Sequence, residues 1–248
     1  MKTIQIIFLA LFFSASLAMA QDTLYVYKAG AVAYKSVISA VDSVTFQKVY
    51  PPVTTVTDFD GNVYHTIVIG TQTWMVENLK TTHYRNGSPI DNVTDNALWA
   101  GLSTGAWCNY DNNPANGTKY GCLYNWAAVG TGNLAPAGWH VPTDADWTTL
   151  TDFLGAVAAN KLMEAGTTNW QAPNTGATNE TGFTALPNGF RGSDGGFSNI
   201  GVLGYWWSST SFPDGTTAWC RGFAPNQSFV GADHYNRLDG FSVRLIKN

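Results

Sequence analysis

The side chains with the greatest chemical reach in this 248-residue chain are ten tryptophans, eleven tyrosines, four histidines and three cysteines. Trp and Tyr present flat apolar faces with a polar edge, a shape suited to stacking on sugar rings. Most of the tryptophans are expected in the core, because a domain of short strands and few helices needs bulky residues to fill it. Trp170, flanked by Thr168, Asn169 and Gln171, and Trp207, beside a serine-rich turn, are the two expected at the surface. Arg191, Arg221, Asp233, His234, Tyr235 and Arg237 fall on polar C-terminal loops or strand ends. These eight residues form the candidate ligand-binding set, a shallow site of aromatic and polar groups. The plain alternative for its arginines and aspartate is a surface ion pair, worth about 0–1 kcal/mol.

Metal and catalytic chemistry find less support. His65, His83, His140 and His234 lack metal-ligand spacing. His140, just before a helix start, is expected to make a structural hydrogen bond. The Asp/Asn-rich stretch 111–116 offers oxygen ligands without the spacing of an EF-hand. No nucleophile elbow or phosphate loop is present. Paired carboxylates depend on a separation in space, and Glu77, Glu164 and Glu180 are the only glutamates. The expectation is therefore no catalytic residue, no metal and no cofactor. Cys108 and Cys122 flank the turn-rich stretch 111–117 and are the pair expected to bridge, closing a loop worth about 3 kcal/mol on chain entropy. Buried free thiols are the alternative, and Cys220 is left over in either case.

These residues need elements to position them. Val63 to Ile69 alternates as a strand after the Asp60-Gly61-Asn62 turn, and Gln72 to Val76 returns as a second. Thr143 and Asp146 have capping-box spacing, Trp147, Leu150 and Leu154 follow at helical intervals, and Gly155 stops that helix. Asn96–Leu102 and Tyr124–Val129 are shorter helix candidates, and 161–164 is ambiguous. Beyond Gly166 the chain reads as turns and short strands over 205–209, 218–223 and 241–246. The fold class is α+β, with short, mainly antiparallel strands, few helices and long loops.

Residues 1–20 read as a signal peptide. Met1-Lys2 is a positive start, Ile4 to Leu17 is an apolar run too short to span a bilayer comfortably, and Ala18-Met19-Ala20 fits a cleavage pattern. A retained anchor is the alternative. No cysteine lies nearby, which closes the lipoprotein route. Residues 21–49 form a small β-rich module with strands at 24–27, 32–34 and 41–46 around an Ala29-Gly30 turn, 50–56 a Pro-containing linker, and 57–248 the main domain. The charge is −4, with 13 Lys+Arg against 17 Asp+Glu. Only 12% of residues are charged, against about 25% in typical domains. Nothing here suits nucleic acid or an anionic membrane, and no later segment is apolar enough to cross one. The protein is expected to be secreted, periplasmic or on the cell surface.

Five stretches carry a family resemblance: Trp74-Met75-Val76-Glu77-Asn78-Leu79, Tyr120-Gly121-Cys122-Leu123-Tyr124-Asn125-Trp126, Gly138-Trp139-His140-Val141-Pro142-Thr143, Trp206-Trp207-Ser208-Ser209-Thr210 and Gly240-Phe241-Ser242-Val243-Arg244. In this order they resemble the Fibrobacter succinogenes major paralogous domain, a family of exported bacterial proteins. The resemblance implies a C-type-lectin-like fold over 57–248, in which long loops of the second half form the recognition surface. It places Trp74, Trp126, Trp139, Trp147 and Trp206 in the core. Members often carry Cys where this chain has Ala135 and Leu245, which implies that these two positions face each other. The Glu-Pro-Asn element of sugar-binding lectins is incomplete here, because Ala224-Pro225-Asn226 lacks the acid. The leading expectation is a non-catalytic binding module for carbohydrate or a protein at the cell surface. An enzyme distantly related to formylglycine-generating domains and a structural or adhesive envelope protein are the alternatives.

Overall fold

The computed structural model describes residues 23–28, 31–37 and 54–248. The chain divides into two compact units, Met1–Pro52 and Val53–Asn248. In the first, β1 (Thr23–Lys28) and β2 (Ala31–Val37) pair antiparallel, with Thr23 opposite Val37. The expected leader over 1–20, the Ala29-Gly30 turn and the expected strand at 41–46 lie outside the described residues.

The second unit starts with β3 (Thr54–Thr57), β4 (Val63–Ile69) and β5 (Gln72–Met75), an antiparallel meander. The last residues of the expected linker are thus a strand: Thr54 lies opposite Thr66. Then come β6 (Asp91–Asn92), α1 (Asn96–Ala100), β7 (Ala106–Cys108), α2 (Pro114–Tyr120), β8 (Leu123–Tyr124), α3 (Trp126–Gly130) and β9 (Trp139–His140). Of residues 111–117, expected as a loop, 111–112 complete a short 3-10 turn from Tyr110 and 114–117 enter α2. Asn113 caps the helix by accepting from the Ala115 amide, and Pro114 sits in the first turn, where a missing N–H costs nothing. The expected helix from Tyr124 starts two residues later, because Tyr124 pairs in β8 and Asn125 serves as the cap.

The longest helix, α4 (Asp144–Leu154), forms where the capping box predicts it. The Thr143 hydroxyl accepts from the Asp146 amide, and the Asp146 carboxylate accepts from the Thr143 amide at 2.9 Å. Burial raises the Asp146 carboxyl, but the Thr143 hydrogen bonds and His140 outweigh it, and its pKa falls below the usual 3.8. His140 bonds to Asp146 at 3.1 Å and to Asn248 at 2.7 Å, a structural role. Trp147, Leu150 and Leu154 point into the core, and Gly155 ends the helix at φ +78°, a conformation open to glycine. The ambiguous 161–164 segment belongs partly to α5 (Ala158–Leu162).

Next come β10 (Asn188–Arg191), β11 (Phe197–Ile200), β12 (Gly204–Ser211), β13 (Thr217–Phe223), β14 (Gly231–Asn236) and β15 (Ile246–Lys247). One five-stranded sheet has the order β3-β4-β5-β15-β9, the other β11-β10-β12-β13-β14, and β6-β7-β8 form a small third. The expected strand over 241–246 is not a ladder. Gly240 bonds to Arg191, Phe241 to Tyr124, Ser242 to Tyr205 and Trp207, Val243 to Leu79 and Leu245 to Met75. Successive residues meet different segments, so this buried stretch stitches the sheets together and joins only one of them, as β15.

Ala135 and Leu245 are buried in one core cluster with Tyr64, Trp207 and Phe241. A second cluster packs α4 and α5 on Trp74, Trp206 and Phe223. The expected Cys108–Cys122 bridge is not formed, since all three cysteines are free and buried. The reason is the strand pleat: Cys108 lies opposite Leu123 across β7 and β8, so the neighbouring Cys122 faces the other way into a different cluster. Burial pushes the Cys108 thiol up to about 11 and Cys122 to about 12, and raises Cys220 further. The native protein is therefore expected to be inert to a thiol-specific disulfide reagent, with three thiols titrating after denaturation. One thiol on denaturation would restore a bridge.

Candidate functional site

Of the eight sequence-predicted residues, four are in the interior. Trp170 is 1% exposed and donates its indole N–H to the Ala185 carbonyl at 3.0 Å. Its polar neighbours bond elsewhere, the Asn169 side-chain amide donating to Glu164 and the Gln171 backbone amide to the Gly201 carbonyl, while the ring turns inward. Trp207 is fully buried on β12, donating to the Tyr124 carbonyl at 2.8 Å with its ring 4.4 Å from that of Phe241. The expectation of surface tryptophans at 170 and 207 is thus overturned.

Arg191 and Arg221 are also structural. Arg191 donates to the carbonyls of Gly195, Val93 and Thr94 and to the Asn96 side chain, with its guanidinium stacked on Trp99 and Phe197. It holds the loop ahead of α1 against β10. Arg221 pairs with Asp144 at 2.6 Å and also donates to the Asp144 carbonyl, which pins the start of α4 to β13.

The other four, Asp233, His234, Tyr235 and Arg237, lie on or just after β14, an edge strand, and remain accessible. The pleat divides them. Asp233 and Tyr235 line a recess of about 170 Å³ with Tyr205 and Gly222. Burial and a hydrogen bond with Tyr235 raise the Tyr205 hydroxyl well above its usual value. His234 points to the opposite face, where cross-strand pairing sets it beside Trp219.

That face carries the better-formed arrangement. The β12–β13 turn is fastened by Asp214, whose carboxylate accepts from the Thr217 hydroxyl and the Thr216 and Thr217 amides, holding its pKa down at about 2. Phe212 at this turn stacks on His234, with ring centroids 3.7 Å apart and planes within 7°. Trp219 meets Phe212 edge-on at 5.2 Å. The His234 Nδ1 is 3.0 Å from the Thr217 hydroxyl. Arg237, just past the end of β14, donates to the Thr217 carbonyl and the Ser211 hydroxyl, and its guanidinium lies 4.5 Å over the ring of Trp126, which packs on the other side against the cluster of Ala218, Cys220 and Tyr235. Trp126 is anchored by its indole N–H on the Ser208 carbonyl. Phe212, Trp219 and His234, in mutual ring contact on this face, are half-buried, as are Trp126 and Arg237.

Trp126, Phe212 and Trp219 were absent from the sequence-predicted set. Trp219 was legible in retrospect, since it alternates with Ala218 and Cys220, both buried on the other face. Of the tryptophans assigned to the core, Trp74, Trp139, Trp147 and Trp206 are buried, and Trp126 is at the boundary. Among the described residues, no group of three His, Cys, Asp or Glu is placed to hold a metal, and no helix is long and apolar enough to cross a membrane.

A second concave region lies beside β4. Asp60 and His83 Nδ1 are 2.5 Å apart at the edge of a cavity of about 240 Å³, whose wall includes Asp58, Phe59, His83 and Arg85. Asp60 also accepts from Thr81 and Thr82, which fixes the carboxylate. Burial raises its pKa, but the hydrogen bonds from the Thr82 amide, His83 and the threonine hydroxyls prevail and lower it.

Compared with known families, residues 67–247 match the one described as Fibrobacter succinogenes major domain. No curated protein and no solved structure matches the chain.

Proposed function

The chain belongs to the Fibrobacter succinogenes major domain family, and from that premise we propose that it is an exported, non-catalytic binding module on a C-type-lectin-like scaffold. Its ligand is carbohydrate, presented at the cell surface, and its contact face is the platform of Phe212, Trp219 and His234. The observation that carries this reading is the half-open row of rings itself. Rings locked by packing on a sheet can receive a sugar face with little ordering cost, and arginine and threonine at the margin supply directional hydrogen bonds. The leader read in residues 1–20 supports export.

The test is affinity electrophoresis and tryptophan fluorescence of the full chain against a polysaccharide panel. Trp219→Ala is expected to weaken binding about tenfold, while changing unfolding free energy by no more than about 1 kcal/mol because the ring is only half-buried. A flat response of the native protein across the panel would sink the carbohydrate reading and direct the search to protein partners.

An enzyme is the second reading because of the Asp60–His83 pair, an acid and a base in contact with His83 on a cavity wall. His83→Asn separates the two. Under the binding reading it leaves sugar affinity unchanged, whereas turnover of any panel member that disappears in this variant would replace binding by catalysis.

A further inference from the structure

The recess between β5 and α2 collects positive charge in a chain whose net charge is −4. Lys80, Lys119 and Arg244, three of the nine Lys and Arg between residues 54 and 248, line one cavity of about 220 Å³. None of the three forms an ion pair among the described residues. The one carboxylate on the wall, Glu77, is engaged by the amide and the Nδ1 of His65, at 2.8 and 2.6 Å.

The floor of this recess is built from distant segments. Arg244 is 1% exposed and donates to Asn78 from Nε at 3.1 Å and Nη2 at 2.7 Å, and to the carbonyls of Phe183 and Thr184. Its guanidinium lies 4.1 Å from the Phe183 ring centre. Every one of these hydrogen-bond partners is neutral, and the nearest counter-charge, Glu77, favours the charged guanidinium from across the recess without forming an ion pair with it. Thr184 is held at φ +56°, a strained conformation for a β-branched residue. Asn179 fixes it there through the Thr184 amide and hydroxyl. Gly121, at φ +81°, closes the wall: a Cβ there would come within 2.6 Å of the Asn78 Cβ, so only glycine lets the end of α2 approach.

We infer that this recess is an oxyanion site, taking the carboxylate, sulfate or phosphate group of a small ligand between Lys80 and Lys119, above the Arg244 charge. Glu77 offsets part of this charge at a distance and is itself engaged by His65, so three cations outnumber one carboxylate on the wall; an anion there would pair with them directly, and two lysines at the rim would provide charge-assisted hydrogen bonds. The site is separate from the aromatic platform and does not depend on it. Burial lowers the Arg244 pKa to about 9, which still leaves it charged at neutral pH.

The experiment is calorimetric titration of the full chain with sodium sulfate and with sodium glucuronate, each against chloride at matched ionic strength. Saturable binding at one equivalent is expected, about tenfold weaker in Lys80→Ala/Lys119→Ala and unchanged in Trp219→Ala. Both substituted lysines lie at the rim, so the double variant keeps the Arg244–Asn78 floor on which folding depends. Glucuronate binding without sulfate binding assigns the source to an acidic sugar, and binding of both assigns it to the free oxyanion. A response no larger than chloride's, or one equal in the double variant, overturns the site. Loss of neutral-polysaccharide binding with sulfate binding intact would count against the platform alone.

Discussion

Asn78→Ala is expected to lower the free energy of unfolding by about 4 kcal/mol, a large part of the roughly 5–15 kcal/mol available to a domain. The Asn78 carbonyl oxygen accepts from Arg244 Nε and Nη2 and from the Trp206 indole at 2.8 Å, and its amide donates to the Tyr120 carbonyl at 2.7 Å. Alanine leaves two guanidinium donors, one indole N–H and one carbonyl without partners in the interior, at about 1–3 kcal/mol for each group that water does not reach. Urea denaturation checks it: the midpoint should fall while the slope stays constant. Asn78→Asp separates charge from geometry. It keeps the acceptor for Arg244 and Trp206 and sets a carboxylate against the guanidinium, while its second oxygen replaces the donor to the Tyr120 carbonyl and is repelled by it; with the ion pair offsetting part of that repulsion, it should cost about half as much. If Asp and Ala are equally damaging, the Arg244 charge is not what Asn78 serves.

Trp207→Ala is expected to cost about 3–5 kcal/mol, the usual range for deleting a buried aromatic ring. The ring fills the space between Cys220, opposite it across the strands, and Phe241, and its loss removes one of the two donors to the Tyr124 carbonyl, leaving the Phe241 amide. Trp207→Phe, which keeps most of the volume and loses the hydrogen bond, should fall at about 2 kcal/mol. Thermal unfolding monitored by near-ultraviolet circular dichroism resolves these steps. Wild-type stability in Trp207→Ala would mean that the ring faces solvent, as its serine-rich surroundings suggest from sequence. Trp219→Ala provides the contrast, a substitution of a half-buried ring on the neighbouring strand that should cost no more than about 1 kcal/mol.

The contrast between these two tryptophans shows where sequence reading stops. Alternation tells that Trp206 and Trp207 point to opposite faces, and in a strand with one wet face one of them would be exposed. β12 lies at the centre of its sheet, with α4 and α5 on one side and the stitched C-terminal stretch on the other, so both rings are buried. Arg191 and Arg221 mislead for a similar reason. A guanidinium in a polar stretch reads as surface, yet each of these finds its partners in segments distant along the chain: Val93 and Thr94 for the first, Asp144 for the second.

What the sequence by itself determined is local. The α4 helix follows from Thr143, Asp146 and Gly155, whose capping bonds span only three or four residues; the β4–β5 hairpin follows from alternation on either side of a short turn. The five motifs also identified the family without any coordinates. Tertiary structure alone decided which tryptophans face water, that Cys108 and Cys122 turn away from each other, and that Lys80, Lys119 and Arg244 share one recess. Accessibility and charge environment are set by what covers a residue, and here the cover comes from segments tens to more than a hundred residues away, whose approach no local spacing records.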